Sequence, residues 1–328
     1  MHPLKPQDPD CRNNMVYLFC TMMYKMIELP IKGLFNEKEC LWFLDRGYDD
    51  CIYRVYPDKI RRAFQAGNEL MLVDIYPLPD KLIVKWLTGE PSEQGITAVK
   101  TFITGWFDLE IDMDVFYKKL TGHPELAYMT EQYRGLRFMG MPDLFEALAW
   151  SIIGQQINLI FAYKIKRRLV ERYGSFIDYE GERYYLFPSP EIISAAEISD
   201  LKAMQFSGRK IEYLITVASE ISAQTLSKEI LYELPDFAGR LKYLTSLRGI
   251  GQWTANYVLM KSLKERSCIP HGDAGLLNAL LHHRIIKDKG DVAAMEKLFG
   301  SFSGWESYLV IYLWRSLAPD PNSSHHEK

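Results

Sequence analysis

From about residue 109 to 317 of this 328-residue chain, apolar residues recur at helical intervals in one run after another, separated only by short loops. "FEALAWSIIG", "RKIEYLITVASEISA", "AGLLNALLHH" and "WESYLVIYLWRSL" are examples. Helices of this length can hide their apolar stripes only against one another, so the pattern predicts an all-α region. Pro142, just ahead of "DLFEAL", marks one helix start. Residues 15–108 have another texture. "KMIELPI", "ELMLVDIY" and "KLIVKWL" read as strands, and "NEKECLWFLDRG" reads as a helix opened by Asn36 and Glu39 in capping-box spacing. Without regular strand-helix-strand alternation, this is a small α/β domain built on an antiparallel sheet, and the whole chain is α+β. Residues 1–14 and 318–328 read as disordered tails.

Composition narrows the function classes. The chain is 48% apolar and 25% charged, which suits a sizeable core, and no window approaches the roughly 18 apolar residues of a membrane helix. No membrane association is expected, and "MHPLKPQDPDCRNN" has no apolar core of a signal peptide, which makes the cytoplasm the expected location. The five cysteines are scattered without a close pair, against a disulfide framework or a zinc site. A net charge of −3 gives no global nucleic-acid signal. Between Ser207 and Arg266, however, nine Lys or Arg face six Asp or Glu, a local net of +3, and "AYKIKRRLVERYG" adds a second basic stretch.

Within that basic segment, "SLRGIGQWTANYVLM" interrupts a helix with Gly249 and Gly251. Leu241, Leu244 and Leu247 keep helical spacing before the break, and Trp253, Tyr257 and Leu259 or Met260 keep it after. "RGIG" can therefore form a tight turn between two helices with Ile250 tucked inward, a helix-hairpin-helix. Exposed amides at the turn and at the second helix's first turn favour a phosphate, which places Arg248, Gly249, Ile250, Gly251 and Gln252 in a candidate phosphate-binding hairpin. The same residues also describe an ordinary helix-helix turn.

"LRGIGQWTANYVLM" followed by "IPHGDAGLLNAL" resembles the helix-hairpin-helix and aspartate signature of the DNA glycosylase superfamily. Asp273 stands twenty residues after Trp253, at the spacing of that family's catalytic aspartate. "FEALAWSIIGQQI" is similar to the family's helix and DNA-wedging loop, and "FNEKECLWFL" to the N-terminal domain of the 3-methyladenine DNA glycosylase II branch. The resemblance covers most of the chain apart from the two tails, and implies a two-lobed helical glycosylase region after the α/β domain.

The resemblance assigns roles residue by residue. Asp273 would be catalytic, stabilising positive charge on the sugar as the base departs, although its place before "AGLLNALL" also makes it a natural helix cap. Trp253 stands where bifunctional members carry a nucleophilic lysine, so a monofunctional hydrolase is implied. Trp253, Tyr257 and Trp305 would line an aromatic pocket for cationic, N-alkylated purines such as 3-methyladenine and 7-methylguanine, though aromatic residues also serve as core. Gln156, with Gln155 beside it, would fill the gap left by an extruded nucleotide; both also suit turn amides.

Two departures from the family pattern are visible. Arg248 replaces the proline that commonly precedes "GIG", and no C-terminal cysteine quartet is present, so no iron-sulfur cluster and no required cofactor are expected. The carbonyls of Thr245, Leu247 and Ile250 are implied as holders of a structural Na+ or K+ at the hairpin. The expected partner is double-stranded DNA containing damaged bases, bound by a monomer that starts base excision repair. Two alternatives remain at this point: a glycosylase for oxidised or deaminated bases with lyase activity through another lysine such as Lys261, and a noncatalytic DNA-binding hairpin protein.

Overall fold

A computed structural model of the protein describes residues 26–48 and 50–318. The tail expected over 1–14, and all but Ala318 of the one expected over 318–328, lie outside the described residues.

Five strands, β1 (Met26–Pro30), β2 (Tyr53–Val55), β3 (Ile60–Ala66), β4 (Glu69–Pro77) and β5 (Lys81–Trp86), pair antiparallel in the order β1-β5-β4-β3-β2. Alternation along β4 sends Met71, Val73 and Ile75 to one face and Leu72 to the other. The first face packs on α1 (Glu37–Leu44) and α2 (Glu93–Phe107) through Cys40, Val99, Ile103 and Phe107.

Two of these strands and one helix were not legible in the sequence. β3 carries Arg61 and Arg62 yet is almost wholly buried, because each guanidinium has a carboxylate. Arg61 donates to Asp74 Oδ1 at 2.7 Å, and Arg62 to Glu146 Oε2 at 3.2 Å. α2 contains Gly95 and Gly105 with several β-branched residues, a composition of low helix propensity that packing overrides.

The remainder is helical. The chain continues through α3 (Asp114–Thr121), α4 (Met129–Gln132), α5 (Leu144–Gly154) and α6 (Leu159–Tyr173). It resumes with α7 (Pro190–Ser194), α8 (Ile198–Ala203), α9 (Gly208–Ser222) and α10 (Lys228–Glu233), and then α11 (Phe237–Ser246) and α12 (Gln252–Ser262). The last three are α13 (Ala274–His282), α14 (Val292–Ser301) and α15 (Glu306–Ser316). α5 is buried nearly all round, so its sequence reads as a continuous apolar run where a surface helix would show a stripe.

One element breaks the expected all-α pattern: a hairpin of β6 (Phe176–Tyr179) and β7 (Glu182–Tyr185). It lies on the second face of the sheet, where Tyr184 packs with Ala63 and Leu72 and its hydroxyl accepts from Arg61 at 3.2 Å. No described helix is long and apolar enough to cross a membrane.

The α/β and helical parts are locked by buried charges. Arg137, fully buried, donates to the carbonyls of Leu34 (2.9 Å), Asp108 (3.0 Å), Ile111 (2.7 Å) and Lys32. Asn36 caps α1 as expected, accepting from Glu39 N at 3.2 Å, but the reciprocal half of the capping box is absent. The Glu39 carboxylate is taken by Arg315 of α15, Nε to Oε2 at 2.6 Å and NH2 to Oε1 at 3.1 Å. Long-range pairing outcompetes the local motif, and it fixes the end of α15 that borders the cleft described next.

Candidate active site

Where the chain leaves α11, Gly249 takes φ +87°, and a Cβ there would lie 2.1 Å from the Tyr213 ring, so this position demands glycine twice over. Gly251 differs: its φ of −84° is open to any residue, and nothing lies within 4 Å of where its Cβ would sit. Ile250 between them is buried, as expected. α11 and α13 are capped by Asp236 and Asp273, whereas Gly251 caps α12 with no side chain at all. Among the described residues the amides of Gly251, Gln252 and Trp253 donate to no partner, so three N–H groups and the positive end of α12 face outward together. Arg248 at the turn is exposed and forms an ion pair with Glu212 at 2.5 Å. Such a pair on the surface contributes little, so the amides and not Arg248 give this turn its anion preference.

Asp273 is held by three donors. Its Oδ1 accepts from Leu276 N at 2.7 Å, which is the helix cap, and from Trp314 Nε1 at 2.9 Å; its Oδ2 accepts from Trp253 Nε1 at 3.2 Å. Capping and presentation to the cleft are therefore compatible, since Oδ1 serves the helix and Trp314, Oδ2 has the single donor Trp253 among the described residues, and Asp273 still lines the cleft. Gly275 makes room for the second indole: a Cβ there would sit 3.3 Å from Trp314 Cδ1. Trp253 stacks on Tyr257 with centroids 5.2 Å apart and planes at 18°, and the Tyr257 hydroxyl accepts from Trp150 Nε1 at 3.1 Å. Burial raises the Tyr257 pKa far above the usual phenol value, so the hydroxyl stays neutral.

Asp273, Trp253, Tyr257, Gln155 and Gln156 all border one cleft of about 1150 Å³. Gln155 Nε2 donates to Gly249 O at 3.2 Å and Thr254 Oγ1 at 3.3 Å, tying the loop between α5 and α6 to the hairpin. Gln156 is exposed at φ +58°, a left-handed conformation uncommon for a side-chain-bearing residue. Leu159 and Ile160, just beyond it, are also exposed.

Trp305 is the exception among the expected pocket residues. It lies outside the cleft lining, buried against Phe116 (5.8 Å) and Tyr308 (5.4 Å), with the Arg266 guanidinium 5.0 Å from its ring. It sits at the start of α15, whose inward face is core, and the tryptophan that reaches the carboxylate is Trp314 near the other end of the same helix.

Several lining residues had no sequence signal. Trp150 and Tyr163 pack at 4.6 Å, and Tyr163 stacks on Tyr48 at 5.1 Å, extending the aromatic wall. The α/β domain contributes Phe43, Arg46, Tyr48, Asp50, Arg62 and Trp106 to the lining, so it forms one side of the cleft as well as bracing the helices. Behind this wall Lys166 is buried between Asp50, at 2.9 Å, and Glu146, at 3.4 Å. Burial opposes the Lys166 charge, but the two carboxylates outweigh it and raise its pKa. Lys261, also in the lining, has no carboxylate within ion-pair distance among the described residues, and burial with Arg46 nearby lowers its pKa to about 7.

Comparison with known proteins identifies the family and the fold. Residues 149–302 match the model of the HhH-GPD superfamily of base excision DNA repair proteins, and residues 36–148 match that of the 8-oxoguanine DNA glycosylase N-terminal domain. A DNA-3-methyladenine glycosylase of Bacillus subtilis is 34% identical over 295 residues, 89% of this chain and 97% of that protein. DNA-3-methyladenine glycosylase 2 of Escherichia coli is 28% identical over 58% of this chain and 64% of its own length. In fold, the chain resembles a 3-methyladenine DNA glycosylase from Archaeoglobus fulgidus, with a TM-score of 0.76, 24% identity, and coverage of 91% of this chain and 99% of that one.

Proposed function

We propose, for a chain that belongs to the HhH-GPD superfamily of base excision DNA repair proteins, that it is a monofunctional DNA glycosylase releasing alkylated purines from duplex DNA. The observation that carries this reading is the triply anchored carboxylate of Asp273 at the mouth of an aromatic cleft, beside a hairpin of open amides.

The open amides of Gly251, Gln252 and Trp253 receive a backbone phosphate of damaged duplex DNA, with Arg248 and the hairpin glycines forming the turn that presents them. Gln156, on the exposed loop between α5 and α6, fills the gap left when a nucleotide is extruded, and Gln155 holds that loop to the hairpin. The flipped base enters the cleft and packs against the free face of the stacked Trp253–Tyr257 pair. An N-alkylated purine carries positive charge, and a cation over an aromatic face gains roughly 0.5 to 2 kcal/mol. As the glycosidic bond lengthens, positive charge grows on the sugar. Asp273 stabilises it through a carboxylate that three N–H groups prevent from turning away, and its less encumbered Oδ2 aligns the attacking water.

Hydrolysis without strand cleavage follows from the side chain at position 253. An indole cannot form a Schiff base. Lys261 lies eight residues farther along α12, roughly 12 Å of helix rise from Trp253, so its amine stands away from the sugar. No cofactor is required in this scheme, and one chain carries all the named groups, which suits a monomer acting on DNA. A monovalent cation at the carbonyls of Thr245, Leu247 and Ile250 belongs to the same proposal, supported by the spare accepting capacity of those groups. Among the described residues the first and last have no partner, and Leu247 O accepts only from Ile250 N at 3.1 Å. Held there, it would add positive charge to the phosphate site.

The test is to incubate the protein with methylated duplex DNA, identify the released bases by chromatography, and attempt borohydride trapping. Release of 3-methyladenine or 7-methylguanine without a trapped adduct is expected. A trapped adduct would move the reading to a bifunctional enzyme, and no release of any base to a noncatalytic DNA-binding protein.

A further inference from the structure

Among the described residues Lys261 is the sole lysine in the lining of the cleft, and it is 5% exposed. The other charged groups around it are already engaged. Lys166 takes both Asp50 and Glu146, Glu146 also takes Arg62, and Arg46 lies over the rings of Phe43 (4.5 Å) and Tyr48 (5.7 Å). Lys261 Nζ makes one hydrogen bond, to Met139 O at 2.6 Å, and sits 5.0 and 4.9 Å from the ring centres of Phe43 and Phe138. An amine has more hydrogen-bonding capacity than one carbonyl can use, and a buried polar group with capacity to spare beside a cavity is suited to recognise a ligand.

Its position fits the far edge of a base. Trp253, Tyr257 and Lys261 follow one another at four-residue intervals along α12, a row with roughly 6 Å of rise per step. The Lys261 amine itself is held on the cleft wall by Met139 O between the Phe43 and Phe138 rings. Trp253 and Tyr257 stack on each other, so a purine packs on the free face of that pair, and with its sugar at Asp273 its six-membered ring enters the cleft that Lys261 lines. Resting on the glycosylase reading above, we propose that Lys261 reads that far edge by donating a hydrogen bond to an exocyclic oxygen, favouring 6-oxopurines over 6-aminopurines. Burial makes this compatible with cationic lesions. With its pKa lowered to about 7, the amine is largely uncharged at slightly alkaline pH, and a neutral amine donates without repelling a positively charged ring.

The experiment uses one duplex DNA methylated to carry both 7-methylguanine, with an oxygen at position 6, and 3-methyladenine, with an amino group there. Base release is measured for the wild type, Lys261→Met and Lys261→Gln. Both variants remove a buried amine that has no counter-charge, and urea unfolding of each checks that the fold is retained. Lys261→Met is expected to lower kcat/KM for 7-methylguanine by roughly 10- to 100-fold while leaving 3-methyladenine within about threefold, and Lys261→Gln, which keeps a donor, to lose less. A parallel fall for both bases, or no change in either, overturns the inference and leaves the glycosylase reading standing. A wild-type protein that releases neither base overturns both.

Discussion

Trp314 Nε1 lies 2.9 Å from Asp273 Oδ1, joining residues 41 apart in sequence and placing the end of α15 against the start of α13. With Trp253 Nε1 at 3.2 Å from the other oxygen, two indoles clamp the carboxylate between them. Asp273→Asn replaces one accepting oxygen with an amino group that must face an N–H donor. Base release is expected to fall by at least about 10²- to 10³-fold, with DNA affinity within about threefold of wild type, measured by single-turnover assay and by binding to an uncleaved lesion duplex. An Asn variant that still turns over would remove Asp273 from the mechanism.

Trp314→Phe keeps an aromatic ring at this place but deletes the Nε1–H that reaches Asp273, together with the pyrrole half of the indole. If that bond positions the carboxylate, kcat drops by roughly tenfold while KM hardly moves, the cost expected for one hydrogen bond to a charged group. An increase in KM with kcat intact would instead make Trp314 a substrate-contact residue.

The two hairpin glycines separate folding from binding. Gly249→Ala forces a side chain into φ +87° and onto the Tyr213 ring, so a loss of about 1–3 kcal/mol or more in urea unfolding is expected. Gly251→Ala meets nothing and should leave stability within about 0.5 kcal/mol of wild type. Its methyl group stands among the open amides, so DNA affinity should fall. A Gly251→Ala protein with undiminished affinity would show that phosphate does not approach that face.

How far the sequence carried can be seen at these same positions. Hairpin, capping aspartate and their twenty-residue separation are local features, and local features are written in spacing and turn chemistry. Trp314 is not of that kind: it ends an apolar run with no mark of its own, and only tertiary packing brings it to Asp273. Trp305 looked more distinctive and went to the core. β3 failed to show as a strand because Arg61 and Arg62 read as solvent-facing, while their partners Asp74 and Glu146 lie 13 and 84 residues away. The contribution of the α/β domain to the cleft wall was hidden for the same reason: Phe43, Arg46, Tyr48 and Asp50 form a cleft edge only after Arg315 and Arg137 have docked that domain.

Gln156 and Gln155 are expected to behave differently despite being adjacent. Gln156→Ala should weaken binding to lesion-containing DNA more than to undamaged DNA, because only an extruded nucleotide leaves a gap to fill. Gln155→Ala frees the loop from Gly249 O and Thr254 Oγ1 and should weaken both alike. Titration of each variant against the two duplexes decides it, and equal effects for Gln156→Ala would count against the wedge.

Glu39 and Arg315 form a buried, two-pronged pair, and the Arg315 guanidinium also lies over Trp42 (4.1 Å) and Tyr133 (4.6 Å). Glu39→Gln leaves that guanidinium buried without its counter-charge, for an expected loss of roughly 3–5 kcal/mol. Replacing both residues with apolar ones of similar size should recover much of the loss. A single variant as stable as wild type would mean the pair is solvated in solution.

Lys261 gives the pH dependence its sign. Burial, with Arg46 nearby, lowers its folded pKa from 10.5 to about 7. Between those values the unfolded chain binds a proton that the folded chain does not, so stability rises with pH across that window, by up to roughly 1.4 kcal/mol per unit. Below about pH 7 both states are protonated and the cost of the buried charge is fully present. Lys261→Met removes this contribution, while Arg46, Arg62, Asp50, Glu146 and Lys166 remain in both proteins and largely cancel in the comparison. The variant's stability relative to wild type should therefore be greater at pH 7 than at pH 9, by on the order of 2 kcal/mol in urea unfolding. A difference that does not change with pH would show that Lys261 keeps an ordinary pKa, fully charged on the cleft wall.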